Sequence, residues 1–111
     1  MAINEFIDYS RVFHSLEIGF WRLDEAGLVK EANPYLLDLL GYSIDEIQGR
    51  EVELLLCDKE RGRLPLSPGA QELELLTRTG HPLWVAVESH PLYHGQGFAK
   101  GSMALIWDLR W

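Results

Sequence analysis

The sequence has little of what several classes of protein require. It contains a single cysteine, Cys57, which excludes an intrachain disulfide and a cysteine-based metal cluster. No apolar run approaches the ~20 residues needed to cross a bilayer, and residues 1–5 lack the basic and apolar parts of a secretory signal. We therefore expect a cytoplasmic protein in which this segment makes no membrane contact.

Positive charge is also scarce. Ten Lys and Arg stand against 17 Asp and Glu, for a formal net charge of −7. A nucleic-acid backbone must be met by clustered Lys and Arg, whereas the basic residues here are scattered along the chain. The excess of negative charge argues against a nucleic-acid partner. At 111 residues, the chain has the size of one domain.

Capping residues predict two short helices in tandem. Asn33 followed by Pro34 is typical of a helix start, and Gly41 is typical of a helix end. Ser43 with Glu46 three residues later predicts a capping box that opens the second helix. The buried face of the first helix is expected to consist of four leucines: Leu36, Leu37, Leu39 and Leu40.

The rest of the chain completes an α+β pattern. Apolar residues spaced i, i+3, i+4, i+7 predict an amphipathic helix over residues 3–17. A further helical segment is expected within 51–61 and a loop over 62–69. Strands are predicted at 20–24, 28–32, 72–77, 83–93 and 102–109. This order favours an antiparallel sheet with helices on one face.

In the order and spacing of these elements, residues 13–110 resemble a PAS domain. The resemblance is carried by the hairpin at 19–33, the paired helices, the strand–turn–strand segment at 77–85, and Asp108-Leu109-Arg110 at the end. It implies a five-stranded antiparallel sheet of order 2-1-5-4-3 with short helices on one face. It also implies a division into an N-terminal amphipathic helix at 1–17 and a PAS domain at 18–111.

The side chains expected between sheet and helices are all apolar. A lining of this kind favours a packed core, and it also suits a compact pocket for a small apolar ligand. These candidate pocket residues are Trp21, Leu37, Leu40, Leu56, Val85, Val87 and Ile106.

The resemblance also bears on cofactors. Light-sensing flavin relatives carry a reactive cysteine in an Asn-Cys-Arg-like helix and polar amides on the fourth and fifth strands. Cys57 does not lie in that motif, and the corresponding strand positions are the aliphatic Val85 and Ile106. Heme-binding relatives supply a histidine before the third strand, where residues 58–70 contain none. We expect no cofactor, argue against heme, and leave a non-covalently bound flavin as an alternative.

No enzyme site is expected in the domain itself. Ser89 and His90 are adjacent on a strand and point to opposite faces, so they cannot act as nucleophile and base. His90 and His94 share a strand face, which suits a surface pair better than a metal site. This expectation does not extend to an attached output domain, which could be an enzyme such as a kinase or cyclase.

Two apolar surfaces predict protein–protein contact. The strand alternation that turns Val85 and Ile106 inward turns Trp84, Leu105 and Trp107 outward. The leading helix carries its own apolar stripe. A homodimer is therefore expected, through Ile3, Phe6, Ile7, Phe13, Leu16, Trp84, Leu105 and Trp107.

The resemblance implies a role in signal transduction. The expected function is a PAS sensor and dimerisation module near the N-terminus of a larger bacterial signalling protein, such as one of a two-component system. A signal would pass through dimer packing and leave at Asp108. The receiving C-terminal output domain would be a histidine kinase, a cyclic-dinucleotide enzyme or a transcription regulator. The alternative is a small-ligand sensor with a compact apolar pocket.

Overall fold

The computed structural model describes residues 17–62, 69–93 and 99–109. Within them the chain forms five strands, two short α-helices and two 3₁₀ turns. In chain order the elements are β1 (Gly19–Leu23), β2 (Val29–Ala32), α1 (Pro34–Leu40), α2 (Ile44–Ile47), the 3₁₀ turns Val52–Leu55 and Asp58–Glu60, β3 (Gly69–Leu76), β4 (Pro82–Tyr93) and β5 (Ala99–Asp108). The predicted leading helix at 3–17 falls almost wholly outside the described residues, so it and the division at 17/18 stay predictions.

The five strands form one antiparallel sheet in the order β2-β1-β5-β4-β3. The N-terminal hairpin therefore joins the C-terminal strand in the middle of the sheet, where Trp21 lies opposite Ala104. Strands β2 and β3 are the two edges. The predicted α+β class and the strand order 2-1-5-4-3 are confirmed.

Helix α1 begins and ends at the predicted residues. Asn33 Oδ1 accepts a hydrogen bond from the Leu36 N–H at 3.1 Å, which caps the helix, and another from the Phe20 N–H at 3.0 Å. Asn33 Nδ2 donates to the Ile18 carbonyl at 2.7 Å. Gly41 ends the helix in the left-handed region, with φ at 84°. The fully buried Asn33 thus ties α1 to the start of β1.

The predicted capping box opens α2. Glu46 Oε1 accepts from the Ser43 N–H at 2.9 Å, and Arg78 Nε lies 2.8 Å from Glu46 Oε2. The Ser43 N–H is the main reason why the pKa of Glu46 lies below its ordinary value, and Arg78 adds to the shift. The backbone N–H of Arg78 also donates to the Leu40 carbonyl at 2.8 Å. The β3–β4 turn is therefore fastened to both helices.

Strand β3 and the segment before it differ from the prediction. β3 begins at Gly69 rather than at 72, because its pairing with β4 continues to Gly69 opposite Ser89. This pairing outweighs the loop signal of the neighbouring Gly and Pro residues. The helical segment expected within 51–61 is two 3₁₀ turns, because Leu56 becomes extended and forms a backbone bridge with Leu75.

The core lies between the sheet and the helical layer. Leu36 and Leu40 of α1 are fully buried there, whereas Leu37 and Leu39 are only half-buried, so the expected four-leucine face was too wide. On β4 the alternation is regular: Leu83, Val85 and Val87 are buried on the inner face. Among the described residues, no helix is long and apolar enough to cross a membrane.

Candidate functional site

The seven candidate pocket residues lie together in the core. Six of them have 2% exposure or less: Trp21, Leu40, Leu56, Val85, Val87 and Ile106. Leu37 is half-buried and packs against the same cluster. In the described part of the chain, every buried side-chain nitrogen and oxygen has a hydrogen-bond partner. The arrangement is that of a packed core, and a pocket that admits a ligand remains a prediction.

Cys57 does not have the surroundings of a reactive thiol. It is half-buried, and its Sγ lies 3.4 Å from the Leu75 carbonyl oxygen, to which it can donate. Burial raises the pKa of the Cys57 thiol, and the nearby Glu74 carboxylate raises it further. The protonated thiol is therefore the favoured form, and thiolate chemistry is disfavoured.

The histidines that the structure describes lie apart on the surface. His90 on β4 points outward, as predicted, and its Nε2 lies 2.6 Å from Glu88 Oε2 on the same strand. His81 lies in the β3–β4 turn, where its Nδ1 is 2.9 Å from the Thr79 hydroxyl. His94 lies outside the described residues. Within the described ranges, no three His, Cys, Asp or Glu side chains are grouped to hold a metal ion.

The outer face of the sheet, away from the helices, carries an apolar patch. Trp84 is 42% exposed and Trp107 is 39% exposed. Ala86 lies directly opposite Trp107, so the two tryptophans are diagonal neighbours on β4 and β5. Leu105 is half-buried on the same face. We call Trp84, Ala86, Leu105 and Trp107 the tryptophan patch.

Trp84 makes two side-chain contacts that the sequence did not reveal. Its indole Nε1–H donates to Glu72 Oε1 at 2.9 Å. Lys59 Nζ lies 5.9 Å from the centroid of its ring. Lys59 is 25 positions away in sequence and belongs to a 3₁₀ turn, so no periodic pattern connects it to β4.

The start of β1 and the end of β5, where the predicted signal exit lies, are both close to this patch. Asp108 ends β5 opposite Val85, and the N–H of Leu109 donates to the Trp84 carbonyl at 3.1 Å. Gly19, the first residue of β1, lies opposite Ile106 and so near Trp107. The other predicted contact residues lie outside the described part: Ile3, Phe6, Ile7, Phe13 and Leu16.

Comparisons with known proteins agree with this architecture. Among solved structures, the chain is similar to a PAS domain from Colwellia psychrerythraea, with 17% identity, a TM-score of 0.82 and 98% of each chain covered. It is similar to the PAS domain, in complex with ethanol, of a LuxR-family transcriptional regulator from Burkholderia thailandensis. That match has 20% identity and a TM-score of 0.75, and covers 93% of this chain and 98% of the other.

A third similar structure is a domain of a sensory box sensor histidine kinase/response regulator from Geobacter sulfurreducens, with 23% identity, a TM-score of 0.74 and 90% of each chain covered. At these identities the likeness shows the fold. No sequence match is found among curated proteins. A family model described as a PAS domain matches residues 8–77, which is more than half of the chain. The chain therefore belongs to the PAS domain family.

Proposed function

We propose that this chain is a sensory and dimerisation module of a signal-transduction protein, and that it signals through the packing of two copies. The observation that carries the proposal is the tryptophan patch on the outer face of the sheet. The similar structures support the signalling context, because one belongs to a transcriptional regulator and another to a sensor histidine kinase. The domain itself is proposed to have no enzymatic activity, and its proposed setting is the bacterial cytoplasm.

The proposed occupant of the tryptophan patch is a second copy of this chain. Two half-exposed tryptophans side by side form a larger apolar surface than an isolated exposed residue. Strand β1 begins next to Trp107, and the amphipathic stripe predicted at 3–17 precedes β1 in the sequence. On two copies related by a two-fold axis, such a combined surface can pack against itself.

The patch alone would make a weak dimer. At ~40% exposure, each tryptophan leaves about 100 Å² to bury, taking about 250 Å² for a full side chain. Four such side chains in a dimer give about 400 Å², or about 10 kcal/mol at ~25 cal/mol per Å². Association costs of about 4–15 kcal/mol consume most of that gain. We therefore propose that the apolar stripe predicted at 3–17 contributes to the contact as well.

The proposed relay runs from this contact to the end of β5. Leu109, which follows Asp108, is hydrogen-bonded to the backbone of Trp84 in the patch. A change in how two copies pack would therefore act directly on the chain that leaves the sheet. The proposed receiver is a C-terminal output domain: a histidine kinase, a cyclic-dinucleotide enzyme or a transcription regulator.

Sedimentation velocity of the full chain tests the dimer. We expect a dimer for the unchanged protein and a monomer for Trp107→Glu, because the change places two charges in the buried contact. Leu54→Glu is the matched control, since Leu54 is 46% exposed but lies on a 3₁₀ turn and not on the sheet. A Trp107→Glu dimer contradicts the proposed surface, and a monomeric unchanged protein contradicts dimerisation.

A second candidate function is the sensing of a small apolar ligand. It is favoured by the apolar interior and by the ethanol complex of the similar Burkholderia thailandensis domain. Under this alternative, native mass spectrometry finds a retained small molecule. Val85→Phe removes that molecule, because Val85 is fully buried and the larger side chain would fill the space that the ligand occupies. Leu54→Glu again serves as the control. Bare polypeptide mass in the unchanged protein contradicts the alternative.

A further inference from the structure

The 3₁₀ turn Asp58–Glu60 is fastened to a single residue of the edge strand β3. The Cys57 N–H donates to the Glu74 carbonyl at 3.1 Å. The Glu74 N–H donates to Glu60 Oε2 at 2.6 Å, and Glu60 is only 6% exposed. Both backbone groups of Glu74 are therefore bonded by this segment, so the segment and the strand edge move together.

Lys59 extends from that turn to the outer face of the sheet. Its ammonium group is paired with the Glu74 carboxylate, and Glu74 lies directly opposite Trp84 on β4. The hydrogen bond to Glu74 is the main reason why the pKa of Lys59 is raised, so the side chain stays charged. The cation then lies near the Trp84 ring, while Glu72 holds the indole N–H. The ring is oriented by contacts on two sides.

The same segment also reaches the core. Leu55 and Leu56 are 1% and 0% exposed and immediately precede Cys57. Leu56 forms the backbone bridge with Leu75 and is one of the candidate pocket residues. Three positions along the chain therefore separate a fully buried side chain from the lysine that contacts Trp84. A displacement of Leu56 must move Lys59 unless the intervening chain deforms.

We propose that Lys59 is a positioning residue that couples the inner side of β3 to the outer face by setting the orientation of Trp84. Residues 55–60 transmit the displacement, and Trp84 is the responding side chain in the contact surface. The coupling depends only on the contacts within this chain. Its consequence for a second copy rests on the proposed function.

The coupling is tested by ¹⁹F NMR on protein labelled with 5-fluorotryptophan. Trp84→Phe identifies the Trp84 resonance, and an added fluorinated standard that does not bind the protein gives the chemical-shift reference. We expect Leu56→Val to shift the Trp84 resonance in the unchanged background. In a Lys59→Gln background that shift falls by at least half. Leu36→Val, an equally buried change in α1, is the matched control and leaves Trp84 in place.

Two results overturn the inference. The first is a Leu56→Val shift of equal size with and without Lys59, and the second is no shift in the unchanged background. Leu55→Val provides a second core change in the same segment if Leu56→Val does not fold, which far-UV circular dichroism decides.

Dimer affinity distinguishes this inference from the proposed function. An exposed cation–π contact of this kind is worth about two- to fivefold in an equilibrium constant. Lys59→Gln is therefore expected to raise the dimer Kd by about that factor, and to have no effect in a Trp84→Ala background. A monomeric protein that keeps the ¹⁹F coupling contradicts dimerisation and supports the role of Lys59. A dimer without the coupling contradicts the role of Lys59 alone.

Discussion

Asn33→Ala removes the side chain that joins the helical layer to the sheet. Asn33 is fully buried, and its side-chain amide is hydrogen-bonded to the backbone of Ile18, Phe20 and Leu36. The truncation leaves the Phe20 and Leu36 N–H groups without that acceptor and the Ile18 carbonyl without that donor. The bonds to the Phe20 and Leu36 N–H groups are buried, so neither group can reach water without moving β1 or α1, whereas the bond to the Ile18 carbonyl is only partly buried.

The expected cost follows from the number and burial of these bonds. Loss of a helix N-cap costs about 1 kcal/mol, and a buried donor or acceptor left unsatisfied costs about 1–3 kcal/mol. Because the three bonds share one side chain, their costs are not additive. We expect a loss of about 3 kcal/mol in the free energy of unfolding. For a domain of this size, that lowers the Tm by about 12–20 °C.

Urea unfolding followed by circular dichroism measures this loss. The matched control is Ser43→Ala, because Ser43 is also a helix N-cap but is exposed. That change is expected to cost about 0.5–1 kcal/mol. If Asn33→Ala costs no more than Ser43→Ala, burial of the Asn33 network does not stabilise the fold and the reasoning is refuted.

Two further predictions concern a glycine and a carboxylate. Gly101→Ala should destabilise the protein by about 2–4 kcal/mol in urea unfolding, because φ is +115° and the new Cβ would lie 2.2 Å from the Leu23 carbonyl oxygen. Gly27→Ala, with positive φ but open space, should cost only about 1 kcal/mol, and equal costs would refute the steric argument. Because the pKa of Glu46 is lowered in the folded protein, the Glu46 carboxylate stabilises the fold. This stabilisation is complete above the ordinary pKa of about 4.5 and is lost as the pH falls through the lower folded-state pKa. Urea midpoints of the unchanged protein and Glu46→Gln should therefore differ more at pH 7 than at pH 3, and a constant difference would contradict this.

Local signals in the sequence predicted the central elements of the fold well. Asn33 and Gly41 act within one or two turns of the chain, so they locate α1 without knowledge of the tertiary structure. The alternation on β4 likewise separates Val85 from Trp84. The bounds of β3 could not be predicted, because pairing opposite Ser89 extends the strand into a stretch that begins with Gly69.

The candidate site was predicted only in part. Alternation placed Trp84 and Trp107 on the outer face, and both are exposed there. The contact of Lys59 with Trp84 could not be predicted, because it depends on how a 3₁₀ turn lies along the edge of the sheet. Helical periodicity also overestimated the buried face of α1, since Leu37 and Leu39 flank the stripe formed by Leu36 and Leu40 and are only partly buried.

Native mass spectrometry of the purified chain, with an absorbance spectrum of the same sample, tests the central claim most directly. The proposed dimerisation module predicts twice the polypeptide mass, with no additional mass and only the absorbance of tryptophan and tyrosine. A single polypeptide mass at micromolar concentration would contradict dimerisation. A dimer that carries extra mass would instead show that the apolar interior holds a ligand.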